Sequence, residues 1–113
     1  MSTITTHVLD TSSGRPATGV QVTLARLEAG GATAIGSART DADGRVREFA
    51  GGGGALDAGE YRLTFETGAY YEAAGVSSFH PRVAVDFTVE GDAQHYHVPL
   101  LLSPYGYSTY RGS

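Results

Sequence analysis

A chain of 113 residues with a net charge of −4 suffices for one domain, whose folding should bury roughly two-thirds of its extended surface. Cysteine is absent, which excludes disulfides, thiolate nucleophiles and cysteine-held metal; lysine is absent too, which excludes Schiff-base chemistry and leaves eight arginines suited to forked hydrogen bonding with planar partners. An acidic chain with scattered arginines is not built for nucleic acid, and its longest aliphatic run, 100–102, is far too short to span a bilayer.

Residues 1–7 carry neither the basic start nor the apolar run of a secretory signal, so a single cytoplasmic domain, 1–113, is expected. A first strand is predicted over 4–10, with Thr5, His7 and Leu9 on one face and Ile4, Thr6 and Val8 on the other. Ser12-Ser13-Gly14-Arg15-Pro16 breaks it. A second strand is predicted over 20–27, with Val20, Val22 and Leu24 on one face, and a third over 33–40 after Gly30-Gly31. Asp41-Ala42-Asp43-Gly44 makes a tight turn, its acidic side chains bonding local backbone. A calcium loop there fails, because its first and twelfth positions would be Arg39 and Ala50 where oxygen ligands are required.

Residues 45–49 read as a short strand with Arg45 and Arg47 on one face, and the four glycines 51–54 as a loop, since no Lys-Ser or Lys-Thr follows to make a phosphate cradle. The cleanest alternation runs over 59–66, with Tyr61, Leu63 and Phe65 inward. Two turns of helix over 69–74 close at Gly75. Another strand over 83–90 places Val83, Val85, Phe87 and Val89 together, and Glu90-Gly91-Asp92 turns the chain into its last two strands. Seven or eight strands at spacings of about ten residues, with one short helix, predict an all-β, two-sheet antiparallel sandwich or barrel.

On the penultimate strand His95 and His97 share a face, opposite the core-like Tyr96, Val98, Leu100 and Leu102. Metal binding would need further ligands from His7, His80 or a carboxylate, and no acidic residue lies nearby at ligand spacing, so neither metal nor cofactor is expected. Imidazoles with an arginine, and no Cys, Lys or Gly-x-Ser-x-Gly elbow, favour water activated by a general base, with the arginine holding an anionic substrate or a developing oxyanion. Neither Ser108 nor Ser113 sits in an activating turn. Against this stand two plain alternatives: exposed strand histidines without a role, and a frayed Tyr110-Arg111-Gly112-Ser113 end.

Five segments carry a family resemblance: Thr6-His7-Val8-Leu9-Asp10, Thr40 to Arg45 as Thr-Asp-x-Asp-Gly-Arg, Phe79-His80-Pro81, His97-Val98-Pro99-Leu100-Leu101-Leu102-Ser103-Pro104, and Tyr110-Arg111-Gly112-Ser113. Over essentially its whole length the chain resembles the 5-hydroxyisourate hydrolases, transthyretin-like enzymes of urate breakdown. The resemblance implies a transthyretin-like sandwich of two four-stranded sheets, and a homotetramer whose active sites lie in clefts at the dimer–dimer interface. It implies ring-opening hydrolysis of 5-hydroxyisourate to a ureidoimidazoline carboxylate, with catalytic His7, Arg45, His97 and Ser113. Tyr110, Arg111 and Gly112 would accompany them in binding substrate, and the last residue would be a site residue. Arg47 could share the role of Arg45, His95 is expected at the rim, and a carrier of small aromatic ligands is the alternative function.

Overall fold

Alternation sets the first strand, β1 (Thr3–Asp10): Ile4, Thr6, Val8 and Asp10 are buried, while Thr5, His7 and Leu9 lie half-exposed on the other face. The computed structural model describes residues 3–49, 56–91 and 94–113. The glycine loop predicted at 51–54 lies outside these.

After β1 come β2 (Arg15–Pro16), β3 (Gln21–Glu28), β4 (Gly31–Arg39), β5 (Arg45–Val46), β6 (Gly59–Phe65), helix α1 (Thr67–Ala73), β7 (Val83–Val89), β8 (His95–Leu102) and β9 (Tyr107–Thr109). One sheet runs β4-β3-β6-β7; the other runs β2-β1-β8-β9, with β5 also paired to β1. The all-β two-sheet sandwich with one short helix is therefore the observed architecture.

It departs from the expectation in two ways. The second sheet has five strands because the two-residue β2 and β5 both pair with β1. The second departure is that β1 and β8 run parallel, Thr3 opposite His95 through Asp10 opposite Leu102. Alternation reports which face is buried and is silent on strand direction, so this pairing is not written in the local pattern.

The core lies between the sheets. Val22, Leu24, Tyr61, Leu63, Phe65, Val83 and Val89 meet Ile4, Val8, Tyr96, Leu100 and Leu102, all nearly inaccessible. Each such aliphatic side chain contributes roughly 1.5–3 kcal/mol by leaving water. In β7 the third inward residue, Phe87, is only half-buried, at the margin of this core.

At the far end of β1 the buried Asp10 joins the sheet to α1. Its carboxylate accepts hydrogen bonds from Ser12 N (3.0 Å), Ser12 Oγ (2.6 Å), Tyr70 OH (3.0 Å) and Tyr71 OH (3.1 Å). Burial works to raise the Asp10 carboxyl, but these bonds outweigh it and hold it below the ordinary carboxylate value. Both tyrosines are pushed up to about 12, first by burial and then by donating to Asp10. The Phe79-His80-Pro81 segment is likewise a tether: Phe79 N donates to Pro104 O (2.8 Å), Gly68 N donates to Pro81 O (3.0 Å), and His80 is edge-on to Phe79 and Tyr107.

Candidate active site

The Asp-Gly turn delivers the arginine. Thr40, buried, donates through Oγ1 to Ala17 O (2.6 Å) and accepts from Val20 N (2.9 Å), anchoring the start of the segment. Asp41 Oδ1 accepts from the backbone N–H of Asp43 and of Arg45, both 2.9 Å, and Asp41 N donates to Arg45 O. Those backbone donors, that of Arg45 foremost, lower the Asp41 carboxyl. Gly44 has φ +75° and lies against β1, where a Cβ would come within 2.5 Å of Val8 O. Only glycine suits both the backbone sign and the approach.

The close approach pairs β5 with β1, Arg45 opposite His7 and Val46 opposite Thr6. Opposed residues of an antiparallel pair project to the same side, so Val46 joins Thr6 inside while Arg45 stands beside His7 outside. Among the described residues the Arg45 guanidinium has no hydrogen-bond or ion-pair partner. Arg47 does not share this position. The strand ends at Val46, and the Arg47 side chain turns back to Asp41 Oδ2 at 2.7 Å. The expected five-residue strand with both arginines on one face is thus shortened to two residues, and Arg47 is committed to the turn.

The parallel β1–β8 pairing brings the second imidazole alongside. The rings of His7 and His97 are 6.4 Å apart between centroids and inclined at 31°. The backbone of Asp43 beside His7 works to raise its pKa, and His97 Nδ1 bonds Thr5 Oγ1 at 2.8 Å. Both imidazoles have lowered pKa values, burial being the main cause and the Arg45 charge the next; His7 and His95 add to the effect at His97. Both shifts favour the neutral imidazole, the form in which a ring nitrogen can accept a proton.

The terminal segment reaches the site through one residue. β9 pairs with β8, Leu100 opposite Thr109, and the same register resumes as a single bridge between His97 and Gly112, with Gly112 N donating to His97 O at 2.8 Å. The interruption falls at Pro99, which has no N–H to give. At Gly112 a Cβ would lie 2.6 Å from His97 Cδ2 and 3.1 Å from Pro99 Cγ, so the glycine is what lets the chain pass beside the imidazole.

Arg111 is tied to Tyr96 and Gln94. Its guanidinium lies 4.5 Å from the ring centroid of Tyr96, on the other face of β8, and donates to Gln94 Oε1 at 2.6 Å. Thr109, Tyr110 and Arg111 line a groove of about 310 Å³ together with Phe87, Tyr96 and His97. Tyr110 and Ser113 are exposed. His80 is engaged with its aromatic neighbours, and among the described residues no three His, Cys, Asp or Glu side chains cluster as metal ligands would. Thr5 was missed as a functional candidate: its place on the His7 face is readable, but its contact with His97 exists only because β8 runs parallel to β1.

The fold and this surface define a transthyretin-type sandwich carrying two imidazoles and a guanidinium. The HIUase/Transthyretin family model matches residues 4–112, and the chain belongs to that family. It is 49% identical to the 5-hydroxyisourate hydrolase of Caulobacter vibrioides, an alignment covering 100% of both chains. The structure of Klebsiella pneumoniae 5-hydroxyisourate hydrolase superposes with a TM-score of 0.85 at 45% identity, covering 98% of this chain and 99% of that one. Sea bream transthyretin in complex with thyroxine gives 0.88 at 32% identity, covering 96% and 93%. Backbone shape alone therefore does not separate an enzyme from a carrier.

Proposed function

We propose that this chain is a 5-hydroxyisourate hydrolase, opening the substrate ring to 2-oxo-4-hydroxy-4-carboxy-5-ureidoimidazoline in urate degradation, with no metal or cofactor. The observation that carries this reading is the pair of imidazoles, 6.4 Å apart, beside a guanidinium that has no partner among the described residues. The attacking water is placed between the two rings. One imidazole removes a proton from the water as it attacks the ring carbonyl, and the other orients it. Arg45 holds the anionic, oxygen-rich edge of the substrate and the oxyanion that forms.

Gly112 supports the reading because it seats the terminal segment against His97. Ser113 is proposed to act with His7, Arg45 and His97, while Tyr110, Arg111 and Gly112 complete the substrate site. Arg111, stacked on Tyr96, fixes the path of the segment. His7, Arg45 and His97 are only half-buried in one chain, which suits a cleft completed by another copy. A homotetramer with sites at the dimer–dimer interface, working in the cytoplasm, is proposed accordingly; among the described residues no helix is long and apolar enough to cross a membrane.

The second reading, a carrier of small aromatic ligands, is favoured by the likeness to sea bream transthyretin. Ultraviolet decay of 5-hydroxyisourate generated in place from urate decides between them: the enzyme accelerates the decay catalytically, whereas a carrier binds without turnover.

A further inference from the structure

The parallel register of β1 and β8 does more than bring two histidines together. It sets Thr3 opposite His95 and Thr5 opposite His97, all four on the outer face of the sheet. Thr3 Oγ1 lies 2.7 Å from His95 Nδ1; Thr5 Oγ1 lies 2.9 Å from His95 Nε2 and 2.8 Å from His97 Nδ1. A continuous hydrogen-bonded chain thus joins the half-buried His97 to the exposed His95.

A hydroxyl has one proton, so Thr5 donates to one imidazole and accepts from the other. The two tautomers are coupled. If His97 carries its proton on Nδ1 and gives that hydrogen bond to Thr5, then Thr5 donates to His95 Nε2 and His97 Nε2 is left bare. In the reverse arrangement Nε2 holds the proton and His97 cannot act as a base there.

We propose that Thr5 is a positioning residue and proton conduit, which sets the His97 tautomer and lets the positive charge of the reaction rest on His95. The proposal builds on the hydrolase reading of this site. As water attacks, its proton passes to His97 Nε2, the Nδ1 proton passes to Thr5, and the Thr5 proton passes to His95 Nε2. His97 is neutral again and His95 is an imidazolium. When the carbon–nitrogen bond of the ring breaks, the shift runs backwards: His95 returns its proton through Thr5 to His97 Nδ1, and His97 Nε2 gives its proton to the departing nitrogen. The second water proton stays on the new carboxylic acid, which ionises to solvent.

The physical reason is where the charge would otherwise sit. An imidazolium at His97 would be partly desolvated and would face Arg45 and His7, the influences that already lower its pKa. At His95, exposed to water, the same charge is hydrated. Arg45 can then stay close enough to hold substrate without opposing the base.

Three variants of the full chain test this: Thr5→Val, which keeps the shape and removes the hydroxyl; Thr5→Ser, which restores it; and His95→Gln, at an exposed position where folding is safe. Their kcat and KM are measured alongside ¹⁵N spectra of the His97 ring. Expected are a fall in kcat of about ten- to a hundredfold for Thr5→Val with KM changed less than about threefold, recovery to within about threefold in Thr5→Ser, and a fall of about tenfold in His95→Gln. The ¹⁵N spectra should show His97 protonated at Nδ1 in the native chain and at Nε2 in Thr5→Val. Full kcat in both Thr5→Val and His95→Gln, or a His97 tautomer indifferent to Thr5, would overturn the proposal. A native chain without turnover would sink the hydrolase reading instead, and the ¹⁵N spectra, which need no substrate, would still decide the role of Thr5.

Discussion

Two polar clusters sit on the same strand, β1, and they are opposites. At Asp10 the donors are committed: Ser12, Tyr70 and Tyr71 converge on one buried carboxylate with four hydrogen bonds. At His7, three residues earlier, the groups are placed but not exhausted. His97 spends Nδ1 on Thr5, and the Arg45 guanidinium has no partner among the described residues. The first cluster holds the fold, and the second leaves its groups free in the way the proposed substrate site requires. Polarity and burial alone do not tell a functional cluster from a structural one; unspent hydrogen-bonding capacity does.

Substitutions should separate the two clusters by what they damage. The largest effect is expected for His97→Asn: a fall in kcat/KM of about 10²–10⁴-fold with the melting temperature nearly unchanged, checked by steady-state kinetics and calorimetry on one preparation. Asp10→Ala should do the reverse, lowering stability by about 2–4 kcal/mol because two tyrosine hydroxyls and Ser12 lose their acceptor, while the folded enzyme keeps kcat within a few-fold; denaturant unfolding measures the first. A collapse of kcat at full stability in Asp10→Ala would break the distinction.

Arg45→Gln should act mainly on substrate binding and the oxyanion, lowering kcat/KM by about 10–10²-fold, and a preserved kcat with raised KM would assign it to ground-state binding. Gly112→Ala should cost about tenfold or more in kcat, since the added methyl displaces the His97 ring while β8 and β9 stay paired.

The smallest effect is that of pH. The folded chain resists protonation of His7 and His97, whose pKa values lie below the ordinary 6.5. The acid limb of kcat/KM should accordingly lie below pH 6.5. Stability should also begin to fall as the pH drops through 6.5, because the unfolded chain binds those protons first. The loss is complete below the folded values. A stability that rises on acidification through this window would contradict the burial of the two rings.

Much of this was legible in the sequence, and the reasons differ by element. The faces of β1, β6, β7 and β8 follow from alternation, since an inward polar or an outward aliphatic residue is costly in a half-buried strand. The Asp41–Gly44 turn follows from its own side chains, and the candidate site residues come from the motifs of the family resemblance. The parallel pairing of β1 with β8 was not legible, because the two strands lie some ninety residues apart and no local pattern encodes direction. With it went Thr5. Arg47 was misplaced because β5 ends at Val46 and its side chain turns back to Asp41. The orientation of Arg111 depends on Tyr96 and Gln94, a contact that no spacing in the tetrapeptide reveals.

The most direct test of the central claim follows the ultraviolet decay of 5-hydroxyisourate generated in place from urate, with the native chain and with His97→Asn at equal concentration. The account requires catalytic acceleration by the native chain and its near-complete loss in a folded His97→Asn. Equal acceleration by both, or none by either, would contradict it.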